Sequence, residues 1–346
     1  MMTDAAPGAR DSSPEQGIVR MAFVLCAGFG TRLRPLTTVL PKPLVPILDR
    51  PLLEYTFAYL RRWGVREVVI NAHHLAETLR RWLARRSDDD LIVECSVEPT
   101  ILGTAGGLRA VRRHFEDEPV FLMVNGDVLT DVDLSAPLAL HQGAGRAATL
   151  VVTPRRLPGA GLVGGDGGGR LTRLAGYLPD EENAQTAFAG TFAGIHVLSP
   201  RIFSVLGPDT FDINRQAYPA LLASGAGVGA CCCAGYWSDL GTPPALLEAN
   251  LDVLSGAGPR LPLRAGETLD AAAGVFVGAD ARVAAGAALG PGVVLGAGAQ
   301  VGSGARLARA VVMPGASVPA GATVCDGIVM ENGAVLAASA PPGQGR

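Results

Sequence analysis

The stretch Leu25 to Thr37 reads L-C-A-G-F-G-T-R-L-R-P-L-T and holds the residues best suited to chemistry. Gly28 and Gly30 follow a short apolar run, so backbone N–H groups there can approach an anion closely. Arg32 adds a planar fork that fits phosphate oxygens. Lys42, in P-K-P-L-V-P-I (Pro41 to Ile47), adds a compact charge on a flexible stem. It is the only lysine; the other 28 of the 29 basic residues are arginine. A chain that writes arginine elsewhere and keeps one lysine points to a task arginine cannot do, although a surface turn between two prolines is the plain alternative. The stretch is not a Walker A loop, because G-x-x-x-x-G-K-[ST] is absent. It is a poor dinucleotide fingerprint, because Leu33 stands where the third glycine belongs.

These residues need elements to hold them. Met21 to Cys26 is a short apolar run ending at glycine, as a buried parallel strand does. Residues 51–64 have proline first, glycine last and apolar residues at helical spacing. Strands follow at Val68 to Ile70, Leu91 to Val97, Val120 to Val124 and Ala147 to Val152. Helices intervene at His74 to Arg86 and Thr104 to His114. The alternation implies an α/β fold, a Rossmann-like and mostly parallel sheet with helices on both faces. Ligands of such sheets bind beyond the carboxyl ends of strands, where Cys26-Ala27-Gly28 and Asn125-Gly126-Asp127 both lie.

After about residue 260 the period changes. Val277, Val283, Leu289, Leu295, Val301, Leu307 and Met313 recur every six residues, usually with a small residue next; the register slips by one at Val318 and resumes at Val324. That is the hexapeptide signature of a parallel β-helix, in which coils must stack to bury one another. Val283 to Ala305 runs 23 residues without a charge, long enough to span a bilayer. Its glycines, Pro291 and the six-residue period argue against a membrane helix. Four segments result: a flexible tail over 1–20, a catalytic-type domain over 21–258, a hexapeptide domain over 259–336 and a tail over 337–346.

The motifs resemble the sugar-1-phosphate nucleotidyltransferases, the nucleotide-sugar pyrophosphorylases. G-x-G-T-R-L-x-P-L-T with downstream P-K-P-L-x-P carries the likeness. It continues through E-P-T-I-L-G-T-A-G-G-L (Glu98 to Leu108), V-N-G-D-V (Val124 to Val128) and G-Y-W-S-D-L-G-T (Gly235 to Thr242). The resemblance implies a left-handed β-helix after the sheet domain. It also implies transfer of a nucleotidyl group from a nucleoside triphosphate, GTP or UTP, to a sugar 1-phosphate. Ala27, Gly28, Gly30 and Thr31 would line the nucleotide, with Gly103 and Thr104 near the base and Asn125 at the nucleoside or sugar. Arg32 and Lys42 would neutralise the α-phosphate, and Asp127 and Asp239 would hold Mg2+. Without the resemblance, Asp127 reads as a helix cap and Asp239 as a turn residue.

One motif departs. Many members carry a Glu-Lys-Pro whose lysine holds the sugar phosphate, and here the stretch reads R-L-T-R-L-A-G-Y-L-P. Arg170 or Arg173 is the candidate substitute, and Gly161 a candidate sugar contact. The hexapeptide tail and L-G-T-A-G-G lean toward mannose-1-phosphate guanylyltransferases. V-V-I-N-A-H-H-L and L-M-V-N-G-D-V lean toward enzymes of N-acetylmuramate or heptose phosphates. A nucleotide-sugar-binding regulatory homologue is the non-enzymatic alternative. Acyl transfer is disfavoured, because all five histidines precede the hexads.

Composition excludes several classes. The chain has 346 residues, 48% of them apolar, and a formal net charge of −3. That is too apolar for a disordered chain and too acidic for a general nucleic-acid binder. Six cysteines without a C-x-x-C pair fit neither a zinc ribbon nor a disulfide framework. The polar start carries no signal-peptide core, so a cytoplasmic location is expected. His73 and His74 are adjacent and expected to point apart, serving packing or helix entry. Cys231 to Cys233 are expected to fill a buried strand. The exposed coil ends suggest a homo-oligomer through the β-helix.

Overall fold

A computed structural model describes residues 19–86, 90–177 and 186–337. The two expected tails lie largely outside these residues. The first region runs β1 (Met21–Leu25), α1 (Leu52–Arg62), β2 (Glu67–Ala72), α2 (Ala76–Ala84), β3 (Ile92–Val97), α3 (Gly103–Ala110), β4 (Phe121–Asn125) and β5 (Val128–Thr130). Next come α4 (Ser135–Gly143), β6 (Ala148–Thr153), β7 (Leu162–Gly165), β8 (Leu171–Leu174), β9 (Phe188–Leu198), α5 (Tyr218–Ala223), β10 (Val228–Cys232), β11 (Trp237–Asp239) and α6 (Pro243–Ser255).

The main sheet is Rossmann-like, ordered β8-β7-β9-β4-β1-β2-β3, with β6 beside β9 and β10 beside β6. The neighbours of β1 and the pairs β2–β3 and β6–β10 are parallel. The mostly parallel expectation fails at β9, which runs antiparallel to β4, β6 and β7. Antiparallel neighbours do not require a crossover connection, as parallel ones do. The apolar runs of β1 and β4 are buried on both sides, as helix-covered strands must be. On α1, Leu53, Phe57 and Leu60 form one inward stripe.

After α6 the chain makes coils. Val275 pairs in parallel with Val293, Val293 with Ala310 and Ala310 with Gly327, so each coil takes 17 or 18 residues, three hexads. Two further rows run through Arg282, Gln300 and Ser317, and through Ala288, Arg306 and Thr323. The slip at Val318 is a 17-residue coil. Leu295, Val301, Leu307, Val318 and Val324 are buried, and Val312 rather than Met313 takes the place beside Leu295, whereas Val283, on the first coil, is exposed. No helix among the described residues is long and apolar enough to cross a membrane.

The two regions share one core. Leu33, Leu36, Val45 and Ile47, flanking the signature residues, pack in the same buried cluster as Phe276, Val294 and Leu295 of the coils. Asn250 on α6, fully buried, accepts from the Leu48 N–H at 3.0 Å, and Asp49 accepts from the Ala297 N–H at 3.0 Å. Arg50 closes the junction on Glu267, with Nη2 also donating to the Pro262 carbonyl at 3.0 Å.

Cys231 to Cys233 depart from expectation. β10 is an edge strand, so Cys232 is exposed and Cys231 half-buried, and only Cys233, just past the strand, is buried.

Candidate active site

Three chain segments meet at the carboxyl ends of β1 and β4. After β1 the chain turns through Gly30, at φ 60°. A side chain there would be strained by the backbone and would stand 2.9 Å from Thr37 Cγ2. Thr37 closes the turn by donating its hydroxyl to the Gly30 carbonyl at 2.8 Å. Thr31 and Arg32 follow, exposed on the rim. Pro41 and Pro43 frame Lys42 in one tight turn, in which the Leu44 N–H donates to the Pro41 carbonyl at 2.8 Å. Fixed proline dihedrals leave the lysine little choice of direction.

Lys42 Nζ lies 2.5 Å from Asp127 Oδ2 and 3.7 Å from Asp239 Oδ1. Arg32 reaches Asp239 Oδ2 at 3.8 Å. The carboxylates are brought side by side by the β5–β11 ribbon, where Asp239 pairs with Val128 and the Leu240 N–H donates to the Asp127 carbonyl at 2.9 Å. Asp127 therefore caps no helix, and Asp239 belongs to a strand rather than a turn. Burial, then the neighbouring Asp127 carboxylate, pushes Asp239 above the usual carboxylate range, while Lys42 and Arg32 pull it back.

Asp239 Oδ1 is buried and makes no hydrogen bond. Beside it Gly241 makes room for Arg32: a Cβ there would stand 2.4 Å from the guanidinium and 3.0 Å from Asp239 Oδ1. An acceptor without a donor, next to a second carboxylate, is the donor set a hard divalent cation takes. The residues present fit Mg2+ at Asp127 and Asp239.

The cleft above holds about 210 Å³ and is lined by Ala27, Gly28, Lys42, Asn71, Gly103, Thr104, Asn125 and Asp127, among others. Gly28 faces open space, with nothing within 4 Å of where a side chain would begin. Thr104 has a structural task as well: its hydroxyl accepts from the Ile213 N–H at 2.9 Å, tying the segment after Phe211 to the start of α3.

Gly161, Arg170 and Arg173 stand apart from the carboxylates, on the β7–β8 hairpin. Gly161 sits at its open end against Ala175. Arg170 lies at the hairpin's turn end. It bridges Gly229 at the start of β10, beside Gly169, whose carbonyl accepts from Arg146. That is the outer edge of the sheet, away from the strand ends that make the cleft. Sequence reasoning missed Asn71, Glu98 and Gly241 as site-building residues. The available signal was a polar residue ending or following an apolar strand. His73 and His74 bond to different segments, His73 Nδ1 to the Glu98 carbonyl at 2.8 Å and His74 Nε2 to the Thr37 carbonyl at 2.7 Å, but they do not point apart: both rings pack on Phe29, with centroids 5.4 and 5.6 Å away.

Residues 21–256 match the nucleotidyl transferase family. The chain belongs to that family. Residues 271–339 match the GMPPB C-terminal domain. Among curated relatives, this nucleotidyl transferase is 30% identical to a UTP–glucose-1-phosphate uridylyltransferase of Synechocystis, over 68% of this chain and 63% of the relative. It is 32% identical to the mannose-1-phosphate guanylyltransferase catalytic subunit beta of Danio rerio, over 71% of this chain and 68% of the relative. It thus spans under two thirds of the uridylyltransferase it matches. A crystal structure of HddC from Yersinia pseudotuberculosis complexed with GMP-PN shares the fold, with a TM-score of 0.57 and 19% identity over 68% of this chain and all of that one.

Proposed function

We propose that this nucleotidyl transferase joins a nucleoside triphosphate and a sugar 1-phosphate into a nucleoside-diphosphate sugar, releasing pyrophosphate, with a mannose-1-phosphate guanylyltransferase-like preference. The observation that carries this reading is the sole lysine, 11% exposed, held between two carboxylates at the mouth of a glycine-lined cleft. In the reaction an oxygen of the sugar phosphate attacks the α-phosphorus in line, and the bond to pyrophosphate breaks. The protein's part is placement and charge.

Asp127 and Asp239 would hold Mg2+, which offsets phosphate charge and fixes the reacting oxygens. Lys42, paired with Asp127, would be placed to donate to an α-phosphate oxygen. Arg32, on the rim beside Asp239, would add a second positive charge at the α-phosphate. Gly28 lets the phosphates approach the backbone, and Asn125 faces the nucleoside. The GMPPB-type C-terminal match and the guanylyltransferase relatives support GTP and mannose 1-phosphate. The uridylyltransferase relative keeps UTP as the second reading. The six-residue period and the three parallel rows support a left-handed winding of the coils, self-association through their ends, and work in the cytoplasm beside a nucleotide pool.

Pyrophosphate release with Mg2+ tests this, with each common nucleoside triphosphate crossed against a panel of sugar 1-phosphates. The strongest signal is expected for GTP with mannose 1-phosphate. Saturable nucleotide-sugar binding with no pyrophosphate from any pair would sink the enzymatic reading and leave a binding protein. Light scattering checks the oligomer, and a monomeric mass removes it.

A further inference from the structure

Beneath the cleft lies a buried polar pair with no role in the chemistry above. Asn71, 2% exposed, lies near the end of β2, and Glu98, 3% exposed, follows β3. The Cys26 N–H donates to Asn71 Oδ1 at 2.7 Å. Asn71 Nδ2 donates to Glu98 Oε1 at 2.7 Å, and the Leu102 N–H donates to Glu98 Oε2 at 3.0 Å. One chain of three hydrogen bonds therefore joins the backbone that opens the glycine turn to the backbone that opens α3. The cleft lies between those two segments. α3 packs directly on the pair, since a Cβ at Gly107 would stand 2.9 Å from both Asn71 Nδ2 and Glu98 Oε1.

A carboxylate so deeply buried destabilises a fold unless its oxygens are satisfied, and both oxygens of Glu98 are. Only a carboxylate offers two acceptor oxygens to two converging donors, which explains an acid rather than a glutamine at this position. A helix start attracts anions, and Glu98 takes the Leu102 N–H there.

We propose that Asn71 and Glu98 are a positioning pair: their hydrogen bonds set the spacing of the two cleft walls and with it how tightly a nucleotide is held between them. Neither residue need touch a reacting atom. That a nucleotide occupies the cleft rests on the proposed function, whereas the spacing of the walls does not.

The pair can be inverted. In Glu98→Gln, two donors face one acceptor. In Asn71→Asp, two carboxylates face each other. The double variant N71D/E98Q removes both conflicts. Its new carboxylate accepts from the Cys26 N–H and from the new amide, and the amide oxygen accepts from the Leu102 N–H. All three hydrogen bonds return, with the middle donor reversed and the negative charge moved from position 98 to position 71.

The experiment compares the two single variants and N71D/E98Q with the native chain. Hydrogen–deuterium exchange is read in the peptides holding Cys26 and Leu102, and dissociation constants are read for GTP and UTP without sugar. Each single variant is expected to speed exchange at both segments and to weaken nucleotide binding about tenfold, the scale of one lost charge-assisted hydrogen bond. The KM for sugar 1-phosphate should stay put. The double variant should recover exchange and binding to within about threefold of native, a coupling that independent sites would not show. A double variant no better than the two singles combined, or one that does not fold, overturns the pairing. Native exchange in both single variants does the same. A native chain that binds neither nucleotide defeats the proposed function, while the exchange results still decide the spacing of the walls.

Discussion

In the strand–helix region the chemistry comes from residues far apart in sequence: Lys42, Asp127 and Asp239 sit on three separate segments, and the lysine reaches both carboxylates within 3.7 Å. In the coil region the important neighbours recur every six residues, and Leu295, Leu307 and Val324 are buried in one apolar stack. One region spends its irregular positions on function, and the other uses its regularity for packing. The two are nevertheless not independent. Leu33 and Leu36, on either side of Arg34 and Pro35, are buried in the cluster that holds Val294 and Leu295. The coils therefore form part of the floor on which the signature turn rests.

Lys42→Ala should separate the two regions most sharply. It removes the cation that reaches both carboxylates, so turnover should fall about a thousandfold, as for other losses of a charged group at a reacting phosphate. The coils should be untouched. Steady-state pyrophosphate release together with a thermal melt checks both halves, and an active variant would remove Lys42 from the chemistry.

Glu267→Ala attacks the junction instead. The Arg50 and Glu267 side chains are 5% and 3% exposed, and removing Glu267 leaves Arg50 with Glu54 at 3.9 Å and the Pro262 carbonyl at 3.0 Å. A loss of about 2 kcal/mol is expected in urea unfolding, the scale of a lost hydrogen bond to a charged group. Because Arg50 closes the segment that Lys42 opens, turnover should fall with stability. Unchanged turnover in a destabilised protein would show that the coils support the fold and not the site.

Legibility followed the same division. The β1 and β4 runs, the glycine turn and the hexads were readable because each is a local pattern with a local physical cause. The antiparallel β9 was not, since strand direction is set by a connection and leaves no mark on the strand's own letters. The meeting of Arg32, Lys42, Asp127 and Asp239 was readable because each sits in a long motif. Asn71 and Glu98 were hidden: single polar letters at strand ends reveal a hydrogen-bonded pair only once β2 and β3 lie side by side.

Acid should distinguish the sheet from the coils. All five histidines lie before the hexads. Burial holds His196 down to about 3, and burial with Arg146 and Arg201 nearby holds His141 down to about 4. Both are depressed below the ordinary value of about 6.5. The unfolded chain therefore takes up protons first, so stability is complete above about pH 6.5 and declines as pH falls toward 4. Each site contributes a slope of up to about 1.4 kcal/mol per pH unit in that window. Urea unfolding at a series of pH values should show His141→Gln with a shallower acid slope than native. An unchanged slope would place the acid sensitivity elsewhere.

The smallest effect belongs to Arg170→Ala. What holds this residue is its backbone: the N–H donates to Asp166 Oδ1 at 2.9 Å and the carbonyl accepts from the Asp166 N–H at 3.0 Å. Alanine keeps both bonds, and the guanidinium it removes is exposed at the sheet's outer edge. The KM for sugar 1-phosphate should move less than about twofold, the usual size of an isolated surface change. A tenfold rise would carry the hairpin to the substrate and make Arg170 the replacement for the missing lysine after all. An unchanged KM leaves that replacement to a group nearer the strand ends, because a sugar phosphate poised for in-line attack has to reach the α-phosphate beside Lys42.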